Sequence, residues 1–370
     1  MRRFAFMAAY YGASAVYQGY MGLFYGEIGL SRGQIGAVNA STAVAALAVQ
    51  PLWGALGDRV RRRTRLLCIL AGASALLLPA ALSGRGLWYQ IAAAFAFYAF
   101  FSALLPMGDA VALASCGEQY GRIRLAGGIS YAVFSLLGGW LLGRLPAGAA
   151  VWIASLLLAA AAFSALLLPE KEAKREKKRL LPALKDRRLR SLLIFMLPAQ
   201  VGMGFYYGFY GLHFMSLPGA SHFLLGAANL IAALAEIPYL LFSDCIFRRF
   251  GAGKTMAVAT AVLCARFLLL GFSGNVYVAL FSQVLNGFGY IAVGVSMAKY
   301  VSERLPGNAA GGQALISMLF YGASRLTGNL LGGLIAERTG IAPVFLIMAA
   351  LCGASLAAYC AFGLRRRLRI

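Results

Sequence analysis

Acidic residues are scarce in this chain. Its 370 residues include 12 Asp and Glu, 2 His and 6 Cys. Two histidines without acidic residues at ligand spacing cannot complete a zinc site. The cysteines (68, 116, 245, 264, 352 and 360) include no Cys-x-x-Cys pair. That removes the usual metal and redox motifs and leaves these thiols as apolar filling. Charge of either sign is thin, at 12% of residues, against about 25% in a soluble domain. A disordered chain would need more charge and less apolarity. What is present instead is 61% hydrophobic residues and a mean hydropathy of +0.74. An ordinary globule lacks the interior volume to hide that much apolar surface.

Likenesses to enzyme motifs fail on their missing parts. Gly251-Ala-Gly253-Lys254-Thr255 ends like a phosphate loop, but Arg248 stands where the first glycine must be. Gly271-Phe-Ser273-Gly274 has the look of an intramembrane serine nucleophile, yet no His follows residue 222. Met107-Gly108-Asp109 lacks the Tyr-Asp partner of an intramembrane aspartyl protease. The chain reads as a non-enzyme, with no metal and no organic cofactor.

Long apolar runs fill the sequence. A helix needs about 20 mostly apolar residues to cross a bilayer. Twelve such runs are predicted, at 4–25, 34–56, 66–83, 87–114, 124–146, 149–168, 191–216, 221–244, 253–272, 275–298, 309–335 and 341–363. The first is a full span without a small-residue cleavage site, so it is not read as a removable signal. A Lys/Arg/Glu-rich connection at 169–190 divides the chain. It separates an N-terminal six-helix bundle (1–168) from a C-terminal one (191–370). The predicted fold is therefore an all-α membrane protein of twelve transmembrane helices.

The net charge of +22 invites a nucleic-acid reading, but the placement of the charges excludes it. With twelve spans, 28 of the 34 basic residues fall on one side of the membrane and 4 on the other. Arg266 and Arg325 remain inside spans. Such a split is the positive-inside pattern. It puts both termini and the central connection in the cytoplasm of a cell-membrane protein. Its expected partners are membrane lipid and a small-molecule substrate, with the chain a monomer.

The two halves echo each other, as internal repeats in transporters do. Tyr10-Tyr11-Gly12 in span 1 answers Tyr206-Tyr207-Gly208 in span 7. Asp58 with Arg62-Arg63 answers Asp244 with Arg248-Arg249. Gly139-x-x-x-Gly143 in span 5 answers Gly328-x-x-x-Gly332 in span 11. These pair 1 with 7, 2–3 with 8–9, and 5 with 11, as a six-plus-six duplication requires.

A charged side chain at the membrane centre costs about 2.5–3.5 kcal/mol on insertion scales, so each needs a partner or water. Asp109 and Arg124 lie at similar depths on either side of the 4–5 turn and are expected to pair, either as a static bridge or in coupling. Tyr98, Ser102 and Asp109 share one face of span 4. Glu236 in span 8 and Arg266 in span 9 differ in depth by about five residues, roughly 7.5 Å, a gap an Arg side chain can cover. Making and breaking that pair would load and release a proton; a permanent bridge is the bland alternative. Arg325 either meets an anionic group or snorkels. His213 is expected to be a hydrogen-bonded wall residue.

The loop after span 2 reads Pro51-Leu-Trp-Gly54-Ala-Leu-Gly-Asp58-Arg59-Val-Arg61-Arg62-Arg63. It resembles the signature loop of the major facilitator superfamily, with Gly54, Asp58, Arg59, Arg62 and Arg63 matching and Arg61 replacing the usual glycine. The stretch from Leu104 through the span 4–5 turn, with Glu236 and Arg266, resembles a lactose-permease-like branch. That branch includes proton symporters for oligosaccharides and nucleosides and phenylpropionate permease-like proteins. Span 10 departs from the lactose permease, with Gln283, Asn286 and Tyr290 in place of its His and Glu. The resemblance implies that spans 1, 4, 7 and 10 line a substrate cavity. Here they carry Tyr10, Ser14, Tyr17, Gln18, Tyr98, Ser102, Gln200, Tyr206, Tyr207, Tyr210, Gln283, Asn286 and Tyr290. It also implies that Gly54, Asp58, Arg59, Arg62 and Arg63 form a conformational latch, with Asp244, Arg248 and Arg249 its degraded copy. The resulting expectation is a proton-coupled symporter of a small polar solute (sugar, nucleoside or aromatic acid). The alternatives are a proton-driven efflux antiporter of hydrophobic compounds and a non-transporting receptor or scaffold.

Overall fold

The computed structural model describes residues 2–60, 62–116, 120–168, 186–304 and 309–367. Among these residues the secondary structure is helical, without strands. The first half comprises α1 (Arg2–Glu27), α2 (Arg32–Arg59), α3 (Arg63–Leu77, extended by a 3-10 turn over Leu78–Leu82), α4 (Leu87–Cys116), α5 (Tyr120–Leu142) and α6 (Ala149–Leu166). The second begins with α7 (Arg187–Met215). Residues 222–271 then form two helices, α8 (222–250) and α9 (252–271), broken at Gly251, whose backbone angles are not helical. The helices α10 (Val276–Arg304), α11 (309–339) and α12 (Ile341–Arg367) complete the chain. The twelve-helix expectation and the helix boundaries agree closely with this order.

Local signals set the ends. Ser31 and Gln34 form a reciprocal capping box at the start of α2, which satisfies two orphan backbone donors. Asn275 Oδ1 accepts from Tyr277 N and Val278 N at the start of α10. Asp186 Oδ1 accepts from Leu189 N at 2.6 Å at the start of α7. Gly251 makes the α8–α9 turn with φ +70°, a conformation that side chains with a Cβ rarely adopt. Prolines 51, 106, 198 and 238 lie inside α2, α4, α7 and α8. Spanning helices tolerate such breaks when neighbouring groups satisfy the freed carbonyls.

Large apolar side chains remain on the outside: Leu76, Trp88, Leu241 and Phe272 are each more than 70% exposed. On a soluble surface that would be a liability; against lipid tails it is the expected covering. Packing divides the chain into two units, Met1–Arg175 with Ala220–Leu230 and Glu176–Gly219 with Ile231–Ile370. The first turns of α8 thus group with the first half. A Cβ on Gly226 would lie 3.0 Å from Tyr20 Oη and 3.1 Å from Leu136 Cα. Within the first unit α1 packs on α5 and α6, and α2 on α4. Within the second, α7 packs on α11 and α12.

Candidate functional site

The second unit holds a connected set of polar side chains in its core. Arg266 on α9 is fully buried. Its Nη1 donates to Asn286 Oδ1 at 2.6 Å and its Nη2 to Gln283 Oε1 at 2.8 Å. Residues 283 and 286 are three apart on α10 and face the same way. Two amide oxygens at that spacing match the two ends of a guanidinium. The guanidinium also lies over the Tyr206 ring, 4.1 Å from its centroid, and Tyr206 Oη donates to Gln283 Oε1 at 2.8 Å. The other end of Asn286 completes the chain: its Nδ2 donates to Glu236 Oε1 at 2.9 Å.

This geometry corrects the expected Glu236–Arg266 bridge. The two side chains do not touch; Asn286 stands between them, its oxygen toward the cation and its nitrogen toward the carboxylate. The depth gap of about five residues is the space the amide fills. Close backbone approach makes the contact possible. A Cβ on Gly287 would overlap Ala235 O and lie 3.0 Å from Glu236 Cα, so only glycine lets α10 pass this near α8. The helix widens into a π turn at Gly287–Ile291, a deviation common at functional sites.

A second cluster lies on the same unit. Arg325 on α11 sits over the Tyr207 ring at 4.7 Å. Tyr207 meets Tyr290 edge-on at 5.5 Å, and Tyr290 meets Tyr321 at 6.4 Å. Glycine again sets the spacing: a Cβ on Gly204 would lie 2.6 Å from Ser324 O and 2.7 Å from Arg325 Cα. Tyr321 was not foreseen. It falls inside a second π turn, Ser317–Ala323, one helical turn before Arg325, and that i, i+4 spacing was the available signal.

In the first unit Arg124 Nη1 pairs with Asp109 Oδ2 at 2.5 Å, and the Arg124 guanidinium lies 5.9 Å from the Tyr11 ring centroid. Asp109 Oδ1 is buried without a hydrogen-bond partner among the described residues. Each unit therefore sets an arginine over the second tyrosine of its Tyr-Tyr-Gly echo.

The expected cavity residues divide by exposure. Gln18, Tyr98, Ser102, Tyr207, Tyr290 and Arg325 are half-buried. Tyr10, Ser14, Tyr17, Gln200, Tyr206, Tyr210, Gln283 and Asn286 are buried. Tyr17 packs against Phe97 at 4.8 Å and Phe101 at 5.7 Å, and Gln283 and Asn286 hold Arg266. His213 Nε2 contacts Leu270 O and Ser273 Oγ, both at 2.9 Å, as a wall residue would.

The loop residues separate likewise. Arg63 Nε donates to Gly57 O at 2.9 Å, and Arg62 precedes the first turn of α3. Arg59 ends α2, and a Cβ on Gly54 would meet nothing within 4 Å. The Asp58 side chain and Arg61 lie outside the described residues. In the second copy the partner of Asp244 is Lys299 on α10, at 2.6 Å, rather than Arg248 or Arg249; Arg248 Nε reaches only the Asp244 carbonyl, at 3.4 Å. Lys299 also donates to Ser243 Oγ at 3.1 Å. A side chain from the facing helix reaches the carboxylate without folding back over its own helix end.

Comparison with known proteins follows the same lines. Residues 3–347 match the model of the MFS_1 like family. The maltose permease of Geobacillus stearothermophilus is 28% identical over 322 residues, covering 82% of this chain and 79% of that protein. Among solved structures, the nucleoside transporter NupG aligns with a TM-score of 0.85 at 18% identity, over 97% of this chain and 98% of that one. The POT family transporter PepTSo aligns with a TM-score of 0.75 at 12% identity, over 100% and 98%. The structural likenesses speak for the fold, and all of these proteins are transporters rather than enzymes.

Proposed function

From the premise that the chain belongs to the MFS_1 like family, we propose that it is a proton-coupled symporter of a small polar organic solute, a sugar, nucleoside or aromatic acid, working by alternating access. One observation carries the coupling: the chain from Glu236 through Asn286 to the buried Arg266. Coupled transport needs a carboxyl that gains and loses a proton inside the membrane. Glu236 is that group. Ionised, it holds Asn286 through a charge-assisted bond, the stronger kind. Protonated, it offers only a neutral acceptor, and the pull on Asn286 weakens. Arg266, fixed by Gln283 and Tyr206, is the stationary cation against which that change is felt.

The named substrates of the two relatives, maltose and nucleosides, favour a solute with a ring and hydroxyl groups. Tyrosine faces and amides suit such a solute. The Asp109–Arg124 pair would secure the first unit or contribute to coupling, and the loop around Asp58 would latch one conformation. The distribution of Lys and Arg supports cytoplasmic termini.

Reconstitution into liposomes tests this reading. An imposed inward proton gradient should drive accumulation of at least one of maltose, uridine or benzoate, and a protonophore should abolish it. Accumulation indifferent to the gradient, or none of the three accumulated, would reject it.

A further inference from the structure

The ends of α8 and α10 enclose a cavity of about 390 Å³, lined by Asp244, Phe247 and Arg248 on α8 and by Lys299, Ser302 and Glu303 on α10. The apolar runs of these two helices stop at residues 244 and 298. The cavity therefore opens at the level of lipid headgroups, just beyond the hydrocarbon. It carries two charges of each sign, and only part of them is matched. Lys299 bonds Asp244 at 2.6 Å and Ser243 at 3.1 Å. Arg248 uses only its Nε, on the Asp244 carbonyl, and its two Nη groups bond no described residue. Glu303 likewise pairs with no cation among the described residues. An arginine and a carboxylate thus line one cavity from different helices without closing on each other. A stripe of α8 leads into it. Leu234, Ile237 and Leu241 are 51%, 40% and 73% exposed. Together with Asp244 and Arg248 they are spaced 3, 4, 3 and 4 residues apart, which is one face of a helix. The exposed face is apolar along the span and turns charged where the span ends, with the Asp244 side chain 80% exposed.

We propose that this cavity binds the headgroup of a phospholipid carrying a primary amine, phosphatidylethanolamine. The phosphate accepts from the Arg248 Nη groups, as phosphates do from a guanidinium fork. The ammonium donates to Glu303 and to Asp244, and an acyl chain lies along Leu241, Ile237 and Leu234. Charge and donor count together select the amine. An anionic headgroup would bring Asp244 and Glu303 no positive charge. A choline headgroup has the positive charge but no N–H to donate to a carboxylate, whereas an ammonium offers three. The site lies on the second unit alone and does not depend on the transport reading.

The test is lipid binding to the purified full-length protein in detergent, read by native mass spectrometry and thermal shift. The probes are phosphatidylethanolamine, its N-methyl and N,N-dimethyl derivatives, phosphatidylcholine and phosphatidylglycerol, all with the same acyl chains, and soluble glycerophosphoethanolamine. Phosphatidylethanolamine should bind about fivefold more tightly than phosphatidylcholine or phosphatidylglycerol, the upper end of what an exposed ion pair supplies. Affinity should fall stepwise as the amine is methylated. Glu303→Gln should remove the preference for the amine, and Glu303→Lys should shift it to phosphatidylglycerol. Arg248→Gln should weaken binding of all these phospholipids. Both side chains are exposed, so each variant should keep its melting temperature without lipid within a few degrees. The methylation series needs no variant and tests the amine in the unaltered protein. Equal binding along that series, a preference for phosphatidylglycerol in the unaltered protein, or an unchanged preference in Glu303→Gln would overturn the site. Glycerophosphoethanolamine bound as tightly as the lipid would overturn the acyl contact and mark the cavity as a site for a soluble zwitterion.

Discussion

Asn286 offers the sharpest perturbation. Among the described residues it is the one side chain bonded to both Glu236 and Arg266, so removing it should uncouple them. Asn286→Ala deletes a 2.6 Å acceptor of a fully buried guanidinium and a 2.9 Å donor to Glu236. Hydrogen bonds to charged groups contribute about 1.5–3 kcal/mol each. The bond to Glu236 is the part shared with a Glu236→Gln change; Gln keeps a neutral acceptor, so a double-mutant cycle should show the difference between a charged and a neutral bond, about 1–1.5 kcal/mol. Both singles and the double would be purified and unfolded reversibly in mixed detergent micelles. Initial uptake rates in liposomes would be compared in parallel. The singles should sum to more than the double by that amount. Effects that add to within about 0.5 kcal/mol, the ordinary scatter for independent sites, would show that Asn286 and Glu236 do not communicate, and the relay argument would fail.

Other expectations follow from the same contacts. Gly287→Ala should lower the melting temperature, because its Cβ overlaps Ala235 O and overpacking costs about 1–3 kcal/mol; an unchanged melting curve would mean α8 and α10 have room to separate. Gly54→Ala, with open space around it, should leave stability within about 0.5 kcal/mol, so a selective loss of transport would mark the loop as a latch. Arg124→Ala should impair transport and Asp109→Asn should restore part of it; the pair is 44% and 21% exposed, so its contribution to stability should be only about 0.2–1 kcal/mol. Absence of any rescue would argue that the two act separately. Single cysteines near residues 85 and 144, in a background with the six native thiols replaced, should react with an impermeant reagent outside intact cells, and cysteines within 171–179 should not. The reverse labelling would invert the topology.

Much of the fold was legible because the bilayer imposes length and charge rules that survive in one dimension. Run lengths gave the helices and their count, and the placement of Lys and Arg was consistent with an even number of spans. The α8–α9 turn was readable from its basic residues, and Gly251 breaks the helix there. The Asp109–Arg124 pair was accessible because depth on either side of a short turn is simple counting. The Glu236 site was only half accessible for a related reason. Counting gives height along a span, not the direction a side chain points. Arg266 had the right height to approach Glu236, but it turns toward α10, where Gln283 and Asn286 offer two oxygens at guanidinium spacing. The π turns over Gly287–Ile291 and Ser317–Ala323 leave no pattern in the sequence, and they set where Tyr290 and Tyr321 lie. Sequence proximity points Asp244 to Arg248 and Arg249, whereas the carboxylate is met by Lys299 from the facing helix.

The central claim is that Glu236 carries the coupled proton. Liposomes containing Glu236→Gln should be compared with the unaltered protein in two assays, using whichever solute the unaltered protein accumulates. One is accumulation driven by a proton gradient; the other is exchange of labelled for unlabelled solute at equal pH. The account predicts that the variant loses accumulation and keeps exchange. Full accumulation by Glu236→Gln would contradict it.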